Sequence, residues 1–163
     1  MGVSGSGKTV VGRALAQRLN GHFVEGDDFH PGSNVRRMRA GIALTDADRW
    51  PWLERLTEAI QRARAQAAVL VVSCSALKKS YRRYLRDRIE GEVVFVHLSG
   101  SFDLISRRLE ARGGHAMPAD LLHSQYEDLE APETAIVVDV DEPLETLVDR
   151  IAEILEGPPA AAR

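Results

Sequence analysis

The first ten residues contain a glycine-rich segment that ends in a lysine and a threonine. Residues 2–9 read G-V-S-G-S-G-K-T, which satisfies every fixed position of the phosphate-binding pattern G-x-x-x-x-G-K-[ST]. Glycines let the backbone curl so that its N–H groups face phosphate oxygens. Lys8 can reach the β- and γ-phosphates, and the Thr9 hydroxyl can bind Mg²⁺. The pattern therefore predicts a site for a nucleoside triphosphate.

We expect the nucleotide to contact the loop and the first turn of the helix that follows it. That set consists of Gly2, Ser4, Gly5, Ser6, Gly7, Lys8, Thr9 and Val10. Apolar residues then recur with helical spacing, which predicts a helix over residues 8–19 whose positive end faces the same anion. The apolar run before Ser73 ends without an aspartate, so we expect the metal shell to be Thr9, phosphate oxygens and waters.

A second polar segment, E-G-D-D-F-H-P, begins at the last residue of the short strand predicted at 22–25. Asp27 could hold a hydroxyl of a second substrate as general base, or bind Mg²⁺ through water. His30 could donate to an oxygen of that substrate. The alternative is a polar turn ended by Pro31, and the adjacent Asp28 is the other candidate for the working carboxylate.

Three arginine-bearing segments complete the candidate site. In L-T-D-A-D-R-W-P-W-L, Arg49 could clamp an anionic group, or it could pair with a neighbouring aspartate. Lys78 and Arg82 lie four residues apart, one helical turn, after the apolar run 68–73. Arg108 and Arg112 share a helix face ahead of two glycines, as expected for a mobile lid at about residues 112–118 whose arginines meet the transferring phosphate.

The elements that must position these residues alternate between helix and strand. Apolar runs predict strands at 22–25, 68–73, 92–98 and 134–140, and helical spacing predicts helices at 8–19, 51–66, 78–89, 102–111, 118–129 and 143–155. This order indicates an α/β fold with a parallel sheet, in which ligands bind at the carboxyl ends of the strands. We expect one domain over residues 1–157 and an unstructured tail over 158–163.

The bulk composition excludes several classes of protein. The 163 residues carry a net charge of −3, which gives no electrostatic case for binding nucleic acid or a membrane surface. No apolar stretch is long enough to cross a bilayer, and the single cysteine, Cys74, lies in an apolar run typical of a core. We therefore expect a cytoplasmic protein that acts on a small anionic molecule.

The position of the phosphate-binding pattern is unusual. Such a loop normally follows a buried strand, but only Met1 precedes Gly2. We expect the first strand to be missing from the printed chain, which would leave its two neighbours in the sheet with unpaired backbone groups.

Taken together, these segments resemble those of the gluconokinases of the small P-loop type, which are related to shikimate and nucleoside-monophosphate kinases. The segments D-R-W-P-W-L and C-S-A-L-K-K-S-Y-R carry the resemblance most specifically, and it extends over nearly the whole chain. It implies a nucleoside-monophosphate-kinase-like fold with a lid, a homodimer, and transfer of phosphate from ATP to D-gluconate with Mg²⁺.

The resemblance also implies roles for individual residues. Lys8 and Thr9 would serve the phosphates and Mg²⁺, and Asp27 would lie near the 6-hydroxyl of gluconate. The candidates for the remaining gluconate oxygens are His30, Arg49, Lys78 and Arg82, and the lid arginines are Arg108 and Arg112. Two alternatives stay open: a kinase of another small hydroxy acid such as shikimate, and a nucleotide-binding switch without acceptor chemistry.

Overall fold

The computed structural model describes residues 1–111 and 119–157 and alternates helices with short strands. The elements are α1 (Lys8–Arg18), β1 (His22–Glu25), α2 (Gly32–Arg39), α3 (Asp46–Arg64), β2 (Leu70–Ser73), α4 (Lys79–Arg88), β3 (Val96–Ser99), α5 (Phe102–Ala111), α6 (Ala119–Asp128), β4 (Ile136–Asp139) and α7 (Leu144–Glu156). A 3₁₀ turn, Gly26–Phe29, joins β1 to α2. The predicted α/β fold is confirmed.

All strand pairs of the described chain are parallel. Strand β1 pairs with β2, and β3 pairs with β4, in each case over four residues in register. Each pair is connected through helices, as parallel strands require. Helices α3 and α4 cover the first pair, and α1, α5, α6 and α7 enclose a second core around β3 and β4.

An apolar cavity of about 210 Å³ separates the two strand pairs. Residues of β2 and of β3 line it, together with apolar side chains of α1, α3 and α7. Met1 lies at its end: its nitrogen donates to the Val96 carbonyl, and its carbonyl accepts from the Leu98 amide at 2.9 Å. Within the described residues no strand joins β2 to β3, so the chain has two separate two-stranded sheets. That a first strand is missing stays a prediction.

Helix α3 begins five residues before the start predicted from the sequence. Thr45 and Asp48 form a capping box, in which the Thr45 hydroxyl accepts from the Asp48 amide and the Asp48 carboxylate accepts from the Thr45 amide. The prediction treated Pro51 as the first helical residue, which was wrong because Pro51 lies inside the helix. Arg49 is therefore the fourth residue of a capped helix and does not lie in a loop.

Strands β2 and β3 begin later than predicted, at Leu70 and Val96 rather than at residues 68 and 92. The predicted lid at about residues 112–118 and the tail 158–163 lie outside the described residues. In the part of the chain that the structure describes, no helix is both long enough and apolar enough to span a membrane.

Candidate active site

The glycine-rich loop enters α1 with a backbone that only glycine adopts readily. The φ angles of Gly2, Gly5 and Gly7 are +145°, +82° and +91°. At Gly5 a Cβ atom would also lie 2.8 Å from Leu109 Cγ, so the close packing of α5 on the loop excludes a side chain there. The loop therefore has the curled form that lets backbone N–H groups face a phosphate.

Two further observations indicate that the loop fits a polyphosphate. The hydroxyl of Ser6 is buried and has no hydrogen-bond partner among the described residues, which is costly without a ligand. Lys8 Nζ bridges the loop by donating to the Val3 carbonyl at 2.9 Å. Val10 is the third residue of α1, where backbone N–H groups have no acceptor within the helix. Its predicted contact with the nucleotide would therefore be made by its backbone amide.

Glu25, which sequence reasoning missed, lies beside the predicted metal ligand. Its carboxylate accepts from Thr9 Oγ1 at 2.6 Å and from the Ser73 hydroxyl. It ends β1 at the same edge of the sheet as the phosphate loop, which is the signal that could have revealed it. In residues 1–111 and 119–157 no three His, Cys, Asp or Glu side chains form a metal site by themselves. Thr9 and Glu25 are hard oxygen donors that fit Mg²⁺ held mainly by phosphates and water.

A polar cavity of about 80 Å³ adjoins the phosphate loop. The phosphate loop, the turn after β1, α3, the loop after β2 and α6 all contribute to its wall. Its polar lining consists of Ser4, Lys8, Asp27, His30, Arg49, Ser75, Ser124 and Gln125. The structure thus brings five predicted residues from distant parts of the chain to one cavity, namely Ser4, Lys8, Asp27, His30 and Arg49.

Asp27 is the acidic residue of the E-G-D-D segment that lines this cavity. Desolvation by the walls raises the pKa of its carboxyl above the ordinary value, and the nearby charge of Lys8 opposes the shift. Its side chain remains 66% exposed, which leaves the carboxylate accessible to a ligand. Asp28 is exposed and does not line the cavity. The geometry therefore favours Asp27 as the working carboxylate.

His30 is fixed between aromatic and polar neighbours. Its ring stacks on Trp52 with centroids 4.2 Å apart, and its side chain is only 5% exposed. Burial, together with the positive charge of Arg49, lowers the pKa of His30 to about 4. The imidazole is therefore neutral at physiological pH, with Nε2 lying 3.9 Å from Asp27 Oδ1.

Arg49 lines the cavity but is also held by partners of its own. Its Nη1 donates to Asp128 Oδ2 at 2.7 Å and to the Tyr81 hydroxyl at 3.1 Å, and lies 4.0 Å from Asp46. Lys78 Nζ bridges the same two carboxylates, at 2.7 Å from Asp46 and 3.2 Å from Asp128. The alternative that Arg49 pairs with Asp46 or Asp48 therefore holds for Asp46 at 4.0 Å, and Asp128 of α6 is the nearer partner.

Lys78 and Arg82, which the sequence predicts to bind the substrate, do not line this cavity. The hydrogen bond to Asp46 raises the pKa of Lys78 to about 12 and keeps the ammonium charged. Arg82 is buried, and its Nη1 donates to the carbonyls of Ala76 and Leu77 at 3.0 and 2.7 Å. Ala76 has φ +43°, a strained value for a residue with a side chain, so Arg82 stabilises the loop that carries Ser75 into the cavity.

Of the two predicted lid arginines, only Arg108 lies within the described residues. Arg108 lies in the last turn of α5, where its Nη2 donates to the Val140 carbonyl after β4 at 2.7 Å. The neighbouring residue Leu109 packs on Gly5 of the phosphate loop. Arg112 lies outside the described residues. Contact of either arginine with a phosphate stays a prediction.

Comparison with known proteins identifies the family of the chain. The shikimate kinase family model matches residues 4–156. A probable gluconokinase of Xenopus tropicalis is 44% identical over 93% of this chain and 88% of its own length. The thermoresistant gluconokinase of Escherichia coli is 42% identical over 96% of this chain and 91% of its own length. The crystal structure of a Sinorhizobium meliloti gluconokinase superposes with a TM-score of 0.82 at 45% identity, covering 96% of this chain and 93% of that one.

The phosphate loop, the parallel strands and the family match define a P-loop kinase fold of the shikimate kinase family. Within this class, identity above 40% over nearly the whole chain places the protein in one branch. The chain belongs to the gluconokinase family.

Proposed function

We propose that the protein transfers the γ-phosphoryl group of ATP to the 6-hydroxyl of D-gluconate, giving ADP and 6-phosphogluconate. The observation that carries this proposal is the cavity in which Lys8 of the phosphate loop meets Asp27, His30 and Arg49. It combines a phosphate-binding cation, a carboxylate able to accept a proton, a neutral imidazole and a second cation. The names of the relatives and the superposed gluconokinase structure support gluconate as acceptor.

The residues of the cavity account for the transfer. Asp27 accepts the proton of the attacking hydroxyl as the new O–P bond forms and the bond to the ADP oxygen breaks. Lys8 and the backbone amides stabilise the charge that develops on the phosphoryl oxygens. Arg49 offers its guanidinium to the carboxylate of the sugar acid. Thr9 and Glu25 would hold Mg²⁺ together with phosphate oxygens and water, and the ion would supply positive charge to the phosphates.

The acceptor is tested by measuring ADP release with Mg·ATP alone, with gluconate and with shikimate. We expect release that depends on gluconate and is far slower with shikimate. Release that depends on shikimate would favour the alternative of a kinase that acts on another small hydroxy acid. Tight GTP binding with slow hydrolysis that no acceptor accelerates would favour the nucleotide switch.

The finer expectations about cell location and assembly are proposals as well. A cytoplasmic location and a homodimer are both supported by the family resemblance alone. Light scattering after gel filtration measures the assembly. A mass near 36 kDa, about twice the 18.0 kDa of one chain, is expected. A mass near that of one chain would contradict the dimer.

A further inference from the structure

Asn34 of α2 is a buried polar residue to which the reading of the sequence assigned no role. The residue is only 2% exposed. Its amide nitrogen Nδ2 lies 2.8 Å from the Asp48 carbonyl oxygen and 3.3 Å from His30 Nδ1. Asn34 therefore connects the capped start of α3 to the imidazole in the acceptor cavity.

The Asp48 carbonyl determines which way the Asn34 amide points. A carbonyl oxygen only accepts hydrogen bonds, so the atom that faces it must be the NH₂ nitrogen rather than the amide oxygen. The NH₂ group has two hydrogens, and the second is available to His30 Nδ1. His30 Nδ1 consequently acts as an acceptor.

The protonation of Nδ1 determines whether Nε2 of the same His30 ring carries a proton. A neutral imidazole carries one proton, and because Nδ1 accepts, that proton lies on Nε2. The opposite tautomer would turn the Nε2 lone pair toward the Asp27 carboxylate 3.9 Å away, with two acceptors facing each other. Stacking on Trp52 fixes the plane of the ring in this orientation.

We propose that Asn34 is a positioning residue that holds His30 in the Nε2–H tautomer, so that His30 acts in the acceptor cavity as a hydrogen-bond donor. Asp27 is then the group in this cavity that accepts the proton of the attacking hydroxyl, and His30 recognises an oxygen of the acceptor. The second part rests on the proposed function, whereas the tautomer itself does not.

The tautomer is measured directly by long-range ¹H–¹⁵N NMR of the histidine-labelled full chain at pH 7.5 without substrate, with His30→Gln used to assign the signals. We expect His30 Nε2 to be protonated and Nδ1 to be unprotonated. A protonated Nδ1 in the wild-type spectrum would overturn the proposal. This outcome depends on no variant and on no activity.

Two variants of Asn34 extend the test. Asn34→Asp replaces the donor with an acceptor of the same shape, so we expect Nδ1 to gain a proton. Asn34→Leu removes both the NH₂ group and the oxygen of the side-chain amide, so we expect His30 to lose its preference for one tautomer. Asn20→Asp makes the same substitution at the other asparagine of the chain, which is exposed, and should leave the His30 signals unchanged. An unchanged tautomer in folded Asn34→Asp protein would also overturn the proposal.

Kinetics test whether the tautomer matters for the acceptor. Loss of one hydrogen bond in Asn34→Asp should raise the KM for gluconate about three- to tenfold. The KM for ATP should stay near the wild-type value, because Asn34 lies outside the phosphate loop. Normal gluconate KM in a variant with protonated Nδ1 would refute the donor role of His30. Wild-type protein with the expected tautomer but no turnover of gluconate would instead contradict the proposed function.

Discussion

The carboxylate of Asp128 lies 2.7 Å from the guanidinium of Arg49, although 79 residues separate them in the chain. The contact joins α6, which follows residues 112–118, to α3, which carries Arg49 into the acceptor cavity. Lys78 and Tyr81 of the α4 region share the same cluster. The position of the cation in the cavity therefore depends on three segments that are distant in sequence.

Asp128→Asn tests the importance of this contact for stability. The Arg49 side chain is 9% exposed, and removal of the nearest carboxylate leaves its charge less well compensated. We expect the free energy of unfolding to fall by about 1–3 kcal/mol in chemical denaturation. Asp149→Asn is the control, because it removes an exposed ion pair with Arg18 and should change stability by less than about 1 kcal/mol. Equal effects of the two substitutions would contradict the assignment.

Asp27→Asn and Asp28→Asn form a matched pair that separates the two adjacent carboxylates. Asp27 lines the cavity and Asp28 does not. We expect Asp27→Asn to lower kcat about 10²–10⁴-fold through loss of the general base, with little change in the KM for ATP. Asp28→Asn should keep kcat within about a factor of three of the wild-type value. A larger loss in the Asp28 variant would reverse the assignment.

Burial of His30 predicts how stability depends on pH. The folded pKa of His30 is about 4, and its ordinary value is 6.5. Between these values the unfolded chain binds more protons, so this histidine makes the free energy of unfolding rise with pH and contributes no slope above about 6.5. His30→Asn should lose this part of the slope. Denaturation of both proteins at several pH values between 4.5 and 7.5 gives the difference, and parallel curves would contradict the prediction.

Gly26 lies where β1 ends against the neighbouring strand. A Cβ atom there would be 2.1 Å from the Ser73 carbonyl oxygen, a backbone atom that cannot move without disturbing β2. We expect Gly26→Ala to lower the free energy of unfolding by about 1–3 kcal/mol and to reduce kcat, because Glu25 and Asp27 flank it. Gly32→Ala is the control, since its Cβ would have only a flexible arginine tip at 3.6 Å. A Gly26→Ala variant that melts at the wild-type temperature would show that Gly26 has more room beside the Ser73 carbonyl than described.

Local patterns predicted much of the fold. The apolar run at 22–25 and the helix at 102–111 have the predicted bounds because each depends on nearest neighbours in the chain. The start of α3 was missed because Pro51 suggested a first turn, whereas the capping box of Thr45 and Asp48 begins the helix earlier. The sequence contains both the capping-box residues and Pro51, and the structure shows that the capping box marks the start of α3.

The candidate site was predictable only where its residues lie in recognisable motifs. The glycine-rich loop identified Lys8, but the inward orientation of Arg82 depends on carbonyls exposed by the unusual backbone at Ala76. The partnership of Arg49 with Asp128 depends on how α6 packs against α3. No local pattern encodes such long-range contacts.

Transfer of phosphate from ATP to O6 of gluconate is tested most directly by the structure of the product. Wild-type protein is incubated with Mg·ATP and gluconate, and the products are followed by ³¹P and ¹H NMR. We expect one phosphate ester whose phosphorus couples to the C6 methylene protons, formed in equal amount to ADP. A phosphate on a secondary carbon, or ADP formed without any gluconate ester, would contradict the account.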